Sequence, residues 1–355
     1  MTEHKPPHVV AVIPSYNGAE DLRLALSALV QCQYDGLEIL VVDNASTDGS
    51  VAMMRADFPT AVVHEMKKNT GYAGACVAGY ELAVARGADF VAFVNQDCEV
   101  TPHWLTPIVN LFQTDETVVA AQPLILYSQD REKINSAGNA IHFLGFGFSN
   151  GEGRMLADSR SRRYLFKPTE VPYASGAALV VRVRDIMLCG GLFEADFFMY
   201  HEDLDLGWRI RLAGKRSMLV PSSRVFHRYE FSRSTAIKYE YGERNRLLVL
   251  IMNYRFLTLL LLLPALLLAE VGIVTLSLLK GWFPLKLRGY RYILKQWPSI
   301  RTRRHKRQYE RRASERSVTK PFTGRITNYN LGGPVLRVAN PVFNLYWRVV
   351  RRLLR

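Results

Sequence analysis

Four short apolar runs in the first hundred residues each give way to a polar side chain, and this repetition constrains the fold more than any other feature. Val9–Ile13 leads to Asn17, Leu37–Val42 to Asp43, Ala61–Glu65 to Asn69, and Phe90–Val94 to Asp97. The runs are nearly continuous in apolar character, so both faces of each strand must be covered. Helical patterns fill intervals between them, from about Glu20 to Gln31 and from Asn69-Thr70-Gly71-Tyr72-Ala73-Gly74 through about Arg86. Such alternation builds a parallel sheet with helices on both sides. The C-terminal strand ends of that sheet form one edge, where ligands bind. A single acid at a strand end can be a turn residue. Polar side chains at four successive strand ends describe a cleft.

At 355 residues the chain accommodates one large α/β domain and an additional module. Its net charge of +14 is uneven: residues 280–355 hold twenty Lys and Arg against Glu310 and Glu315, and the remainder is slightly acidic. A basic C-terminal region beside a near-neutral domain seeks a polyanion. Arg301-Thr302-Arg303-Arg304-His305-Lys306-Arg307 is its densest part. It accompanies no recognisable nucleic-acid module, so anionic lipid is the expected partner and nucleic acid is not. Cys32, Cys76, Cys98 and Cys189 show no paired spacing and are expected to be reduced core thiols. The polar start, Met1-Thr2-Glu3-His4-Lys5-Pro6-Pro7, lacks the apolar core of a signal peptide, so a cytoplasmic location is expected.

Strand signals return at Ala177–Val183, and Phe197-Phe198-Met199-Tyr200-His201-Glu202-Asp203 leads into a helix. Gly145–Gly151 reads as a hairpin or loop. From Leu247 the chain changes character. Phe256–Leu279 is apolar enough to span a bilayer. Positive residues flank both of its ends, which disfavours a single crossing and suggests a helix bent at Pro264 or Gly272 that enters and leaves one leaflet. Near the end, Phe343, Tyr346, Trp347, Val350, Leu353 and Leu354 fall on one helical face, with Arg348, Arg351, Arg352 and Arg355 on the other. That pattern suits an interfacial helix, or a surface helix packed on its own domain. Residues 1–235 are expected to form the catalytic domain and 236–355 a helical, membrane-associated region.

Five spaced motifs give the chain a family resemblance. Val12-Ile13-Pro14-Ser15-Tyr16-Asn17, Val41-Val42-Asp43-Asn44-Ala45-Ser46-Thr47-Asp48-Gly49-Ser50, Asn69-Thr70-Gly71-Tyr72-Ala73-Gly74, Asn95-Gln96-Asp97 and His201-Glu202-Asp203 follow one another in order. In these the chain resembles family-2 glycosyltransferases of the GT-A fold, an α/β architecture with a Rossmann-like, mostly parallel central sheet. Ser175 through Tyr254 resembles the rhamnosyltransferase-type members. The resemblance implies inverting sugar transfer from a nucleoside-diphosphate donor, dTDP-rhamnose or a UDP-sugar, to a lipid-linked or polysaccharide acceptor at the cytoplasmic membrane face. A dehydrogenase would instead need Gly-x-Gly-x-x-Gly after the first strand, and Pro14–Gly18 does not supply it. The alternative class is a non-catalytic, nucleotide-binding membrane scaffold.

Roles follow from the resemblance. Pro14, Ser15, Tyr16, Asn17, Asp43, Asn44, Asn69, Gly71, Asn95, Gln96 and Asp97 would bind the donor. Asp43 would accept from the imide N–H of uracil or thymine. Asp97, together with His227 of Val225-Phe226-His227-Arg228, would hold Mg²⁺ or Mn²⁺ on the diphosphate. Asn95 replaces the first acid of the family's Asp-x-Asp, which lowers the negative charge of the site while leaving a carbonyl oxygen. Asp203 would be the general base, its pKa raised by the adjacent Glu202. Glu202, Ser175, Gly176, Trp208 and Arg209 would lie on the acceptor or leaving-group side.

Overall fold

The computed structural model describes residues 5–229, 235–327 and 334–354. The four apolar runs form β1 (Val9–Ser15), β2 (Leu37–Asp43), β3 (Val62–Glu65) and β4 (Phe90–Val94), paired in parallel in the order β4-β1-β2-β3. Within β1, Val9, Ala11 and Ile13 enter one core cluster and Val10 and Val12 the other. Burial on both faces is why the strands are continuously apolar. Helices α1 (Ala19–Val30), α2 (Ser50–Asp57) and α3 (Gly71–Ala85) connect them. Asn17, Asp43, Asn69 and Asp97 consequently follow strand ends along one edge, as expected.

Beyond β4 come β5 (Cys98–Val100), α4 (Leu105–Thr114), β6 (Val118–Tyr127), β7 (Ile134–Ser136), the hairpin β8 (Asn139–Ile141) and β9 (Gly147–Ser149), β10 (Thr169–Val171) and β11 (Ala178–Arg182). A single turn α5 (Val183–Ile186), α6 (Glu202–Leu212) and the long β12 (Arg216–His227) complete this part. The main sheet runs β10-β12-β6-β11-β4-β1-β2-β3, with β11 antiparallel to both β4 and β6. The sheet is therefore mixed, not mostly parallel. Reversal of β11 has a consequence: its N-terminal approach, Ser175–Ala177, arrives beside the C-terminal end of β4.

The C-terminal region contains α7 (Thr235–Ile237), α8 (Glu243–Asn253), α9 (Phe256–Leu279), α10 (Phe283–Lys295), α11 (Trp297–Glu310), α12 (Glu315–Thr319) and α13 (Pro334–Leu353). These helices close over one face of the sheet. Leu248, Met252, Ile300, Phe322 and Trp347 belong to the same core cluster as Val10, Val12 and Phe93. Trp208 meets Tyr254 and Phe322 edge-on, with ring centroids 4.7 and 4.6 Å apart.

Three sequence expectations change here. Most of the arginines in the run 301–307 are spent internally: Arg303 pairs with Glu194 and Asp196, Arg304 donates to the carbonyls of Ile251 and Tyr254, and Arg307 binds Asp205 and Glu194. Buried guanidinium groups need such partners, so these side chains are not free to receive headgroups. Second, α9 is one unbroken helix through Pro264 and Gly272. It is long and apolar enough to cross a membrane by length and composition, and only 17% of its most apolar window is buried. Its Glu270 is ion-paired to Arg246 of α8 and Lys286 of α10. Third, Trp347, Val350 and Leu354 of the last amphipathic stretch are buried against the domain, whereas Leu353 is exposed. Arg355 lies outside the described residues.

Asp205 has no solvent exposure and accepts from Arg209 (2.8 Å), Arg307 (2.6 Å) and Asn253 (2.9 Å). Asp205→Ala leaves two buried guanidinium groups short of a counter-charge. The expected loss is about 3–5 kcal/mol of folding stability, read by urea denaturation.

Candidate active site

At the donor edge, the backbone of the β1 loop is held by neighbouring side chains. Asp48 accepts from the N–H groups of Gly18 (2.5 Å) and Ala19 (3.1 Å), which open α1. Burial works against the Asp48 charge, but the hydrogen bonds from Ser50, Ala19 and Gly18 bring its carboxyl down to about 2. Asn17 adopts positive φ and its Oδ1 accepts from Thr47 N–H at 2.8 Å. Gln96 Oε1 accepts from Tyr16 N–H at 2.8 Å, so this residue braces the loop. Asn44 joins the second motif to the third, donating to Asn69 Oδ1 and Gly71 O and accepting from Thr70 N–H. Tyr16 is left exposed at the mouth of the edge.

This edge also gathers buried polar atoms without hydrogen-bond partners among the described residues: Ser15 Oγ, Asp43 Oδ1, Asn95 Oδ1 and Asp97 Oδ1. Buried acceptors left unpaired are costly in a folded protein, and several together mark a place where a ligand completes them. The other oxygen of Asp43 is occupied, accepting from Ser46 N–H at 3.0 Å.

β12 brings His227 against β5 and the end of β4. Its Nδ1 lies 3.1 Å from Asn135 Oδ1, an oxygen that can only accept. Nδ1 therefore carries the proton, and the Nε2 lone pair faces Asp97 Oδ1 at 3.3 Å. Two such atoms are joined either by a second proton on the imidazole or by a cation held between them. Donor atoms of Asp97, Cys98 and His227 all lie within 4.8 Å of one another. Burial pushes the Cys98 thiol well above its ordinary value, so it stays protonated and donates to Ala177 O. Oxygen from Asp97 and nitrogen from His227 are the pair suited to a hard or borderline divalent cation.

The carboxylate pair opens α6. Asp203 Oδ2 accepts from Gly176 N–H (3.0 Å) and Oδ1 from Leu204 N–H (2.7 Å). Gly176 also takes the Tyr72 hydroxyl on its carbonyl at 2.6 Å. Asn95 N–H donates to Ala177 O at 3.0 Å, so one short segment links the end of β4 to Asp203. Burial pushes the Asp203 carboxyl up to about 6 against the pull of its two backbone hydrogen bonds. Burial, and then the Asp203 charge, raise Glu202 well above the usual carboxylate range. The main cause is desolvation, where the sequence suggested mutual repulsion.

The loop entering α6 is strained. Phe198, Tyr200 and His201 have φ of 63°, 70° and 68°; such non-glycine conformations cost about 1–3 kcal/mol each. Asn245 of α8 is wholly buried, and its Nδ2 reaches the carbonyls of Phe197, Met199 and Tyr200 at 2.8–3.0 Å. Arg244 donates to the carbonyls of Asp196 and Phe197. From the opposite side, Ala73 N–H donates to Phe198 O. Sequence reading missed Asn245, Arg244, Asn135, Tyr72 and Asp48. The available signal was Glu243-Arg244-Asn245-Arg246, a polar group opening an otherwise apolar helix.

Two expected residues are not brought to the cleft. Trp208 is fully buried between Tyr254 and Phe322. Arg209 is consumed by Asp205 and the carbonyls of Cys189, Gly191 and Leu192. Helical geometry explains this: positions 205, 208 and 209 turn away from the face that holds 203.

A mixed sheet with a polar strand-end edge and a buried acid pair across from it is an arrangement that can hold a ligand beside a base. The model of the glycosyl transferase family 2 matches residues 10–187. The chain belongs to that family. It is 29% identical over 243 residues to the N-acetylglucosaminyl-diphospho-decaprenol L-rhamnosyltransferase of Mycobacterium tuberculosis, covering 64% of this chain and 76% of that protein. Among solved structures, a complex of GalNAc-T7 with UDP, GalNAc and Mn²⁺ superposes with a TM-score of 0.57 at 16% identity, covering 70% of this chain and 48% of that one. The mannosyltransferase PcManGT of Pyrobaculum calidifontis, in complex with GDP-Man and Mn²⁺, gives a TM-score of 0.50 at 18% identity over 86% of both chains. These two show the fold. The chain spans from a quarter to about three quarters of the length of the first curated relatives it matches.

Gly71 has φ of +73°, and a Cβ there would fall 2.3 Å from Phe198 O. Gly71→Ala is expected to cost about 2 kcal/mol or more in thermal stability, because the side chain is strained and displaces the loop that carries Glu202 and Asp203.

Proposed function

We propose that this chain is an inverting glycosyltransferase moving a sugar from dTDP-rhamnose or a UDP-sugar to a lipid-linked or polysaccharide acceptor. The observation that carries the reading is the row of unpartnered Asp43, Asn95 and Asp97 oxygens, joined through Ser175–Ala177 to Asp203. Asp43 Oδ1 takes the imide N–H of the pyrimidine, and exposed Tyr16 lies against the base. Pro14, Ser15 and Asn95 contact the base and ribose side, while Asn17, Asn44, Asn69, Gly71 and Gln96 hold the loops in shape. Asp97 and His227 would hold Mg²⁺ or Mn²⁺, which when bound supplies positive charge to the departing diphosphate.

Asp203 removes the proton from the acceptor hydroxyl as that oxygen bonds to the anomeric carbon. The bond from that carbon to the diphosphate oxygen breaks on the opposite side, and its electron pair leaves with the nucleoside diphosphate. Attack from the far face inverts the configuration. Glu202, kept protonated by burial, adds no second negative charge at the point of attack. Ser175 and Gly176 border the acceptor.

The mycobacterial relative carries a lipid diphosphate in its name, which supports a polyprenyl-linked acceptor for this chain. In this reading residues 1–235 carry the chemistry and residues 236–355 seat the protein on the cytoplasmic face of the membrane, against anionic lipid. The exposed Leu257, Leu260, Leu263, Leu267, Leu268 and Val271 support contact with acyl chains. The ion pairs of Glu270 favour a helix lying in the leaflet over one crossing it, since a crossing would strip that cluster from the domain.

Three experiments test the chemistry. Asp203→Asn should lower transfer ~10³-fold while leaving the donor Kd unchanged by titration calorimetry, as for a lost general base; equal loss of both removes Asp203 from that role. Wild-type transfer should rise with pH through about 6, where Asp203 becomes the carboxylate, and fall away below it. Thermal stability against UDP, dTDP and GDP with Mn²⁺ should show one or two ligands adding about 2.7 kcal/mol at 100 times Kd. Asp43→Ala should abolish that gain.

A further inference from the structure

The C-terminal helices leave one cavity whose charge is unbalanced. It measures about 690 Å³ and is lined by Ser314, Arg316, Ser317, Lys320, Arg351 and Arg352. α12 and its flanks form one wall and the end of α13 the other. Four cationic side chains face this space and no carboxylate does. Glu315, the acid nearest in sequence, points inward: it is 2% exposed and paired with Arg311 at 2.5 Å. Arg351 donates to Lys320 O at 3.4 Å. Among the described residues, none of the four cations has a carboxylate partner. Like charges gathered around one cavity repel, and an anion within it adds an attraction to each of them that offsets the repulsion. Guanidinium forks and serine hydroxyls match the oxygens of a phosphate.

The surroundings select the kind of phosphate. Val338, Val342, Leu345, Val349 and Leu353 are all exposed and recur at helical spacing, forming an apolar stripe along α13. Trp347, Val350 and Leu354 hold the helix to the domain on another face. The Tyr346 hydroxyl bonds Leu261 O, joining α13 to the exposed leucines of α9. Arg348 and Arg352 flank the stripe, one helical step from Leu345 and Val349. A cationic cavity bordering an exposed apolar strip matches the two parts of a phospholipid, with the headgroup above and the acyl chains below.

We propose that this cavity binds the headgroup phosphate of an anionic phospholipid while the stripes of α13 and α9 enter the leaflet beside it. This rests on the membrane seating of the proposed function and names the residues that read the lipid. The basic run expected to do so, Arg301–Arg307, is largely committed to internal ion pairs.

The test is flotation of the full chain on vesicles of phosphatidylcholine, and of phosphatidylcholine with 30 mol% phosphatidylglycerol, at fixed ionic strength (lipid fraction ~30%, chosen to give a negative leaflet). The triple variant Lys320→Gln, Arg351→Gln, Arg352→Gln changes exposed residues only, and its thermal denaturation should match wild type. It should lose ~100-fold in affinity for anionic vesicles, at about fivefold per removed charge, and bind neutral vesicles as wild type does. A charge-matched control, Lys5→Gln, Lys67→Gln, Lys68→Gln, should lose fivefold at most. Equal losses in the two variants would mean diffuse attraction and overturn the site. Stabilisation by inorganic phosphate that depends on Arg351 and Arg352, with vesicle binding independent of them, would reassign the cavity to a soluble phosphate. Failure of wild type to float on either vesicle would overturn the membrane seating itself. Neutral-vesicle binding with no anionic gain would overturn the cavity alone.

Discussion

A buried carboxylate two residues beyond the acid pair ties the parts of this molecule together. Asp205 projects from α6 on the side away from Asp203 and is satisfied by Arg209 of its own helix, Arg307 of α11 and Asn253 of α8. Burial opposes its charge, but Arg307 and Arg209 hold the carboxyl far below the usual carboxylate range. One helix therefore carries two acids of opposite character. Asp205 is locked as an anion inside an ion network. Asp203, with no cationic partner among the described residues and with backbone donors from Gly176 and Leu204, is raised toward neutrality, where a base is useful.

The same helices hold the loop before α6 in an unfavourable backbone state. Three consecutive-region residues at positive φ would relax in isolation. Asn245 and Arg244 prevent this by binding the loop's carbonyls, and Gly71 lets α3 approach from beneath without a side chain in the way. The C-terminal region is thus part of the catalytic architecture as well as the part that presents apolar surface. α8 grips the loop and runs almost directly into α9, so the exposed apolar segment and the segment that shapes the acid pair are continuous.

Much of the donor edge was legible in the sequence. Runs such as Leu37–Val42 and Phe90–Val94 are apolar at every step or nearly so, and only burial on both faces explains that. Their terminal residues had to share an edge once the strands were parallel. Less was legible at α6. The motif located Glu202 and Asp203, but the structure does not bring Trp208 and Arg209 to the cleft where the resemblance had put them. The helix turns Trp208 and Arg209, five and six positions after Asp203, toward the core, and Arg209 pairs with Asp205 four positions before it. The basic run 301–307 misled for a related reason: charge in a sequence says nothing about which counter-charges folding will deliver.

By itself the sequence determined the four strands of the donor edge and their polar ends, the identity of the acids and the amphipathic character of the last helix. These are consequences of local periodicity and of motifs whose members lie close together in the chain. Tertiary structure alone decided the reversal of β11, the tautomer of His227 through Asn135, the clamp of Asn245 on the loop, and which arginines remain free. Each depends on partners far apart in the chain, and desolvation, which sets both the Asp203 pKa and the value of an ion pair, exists only once those partners have met.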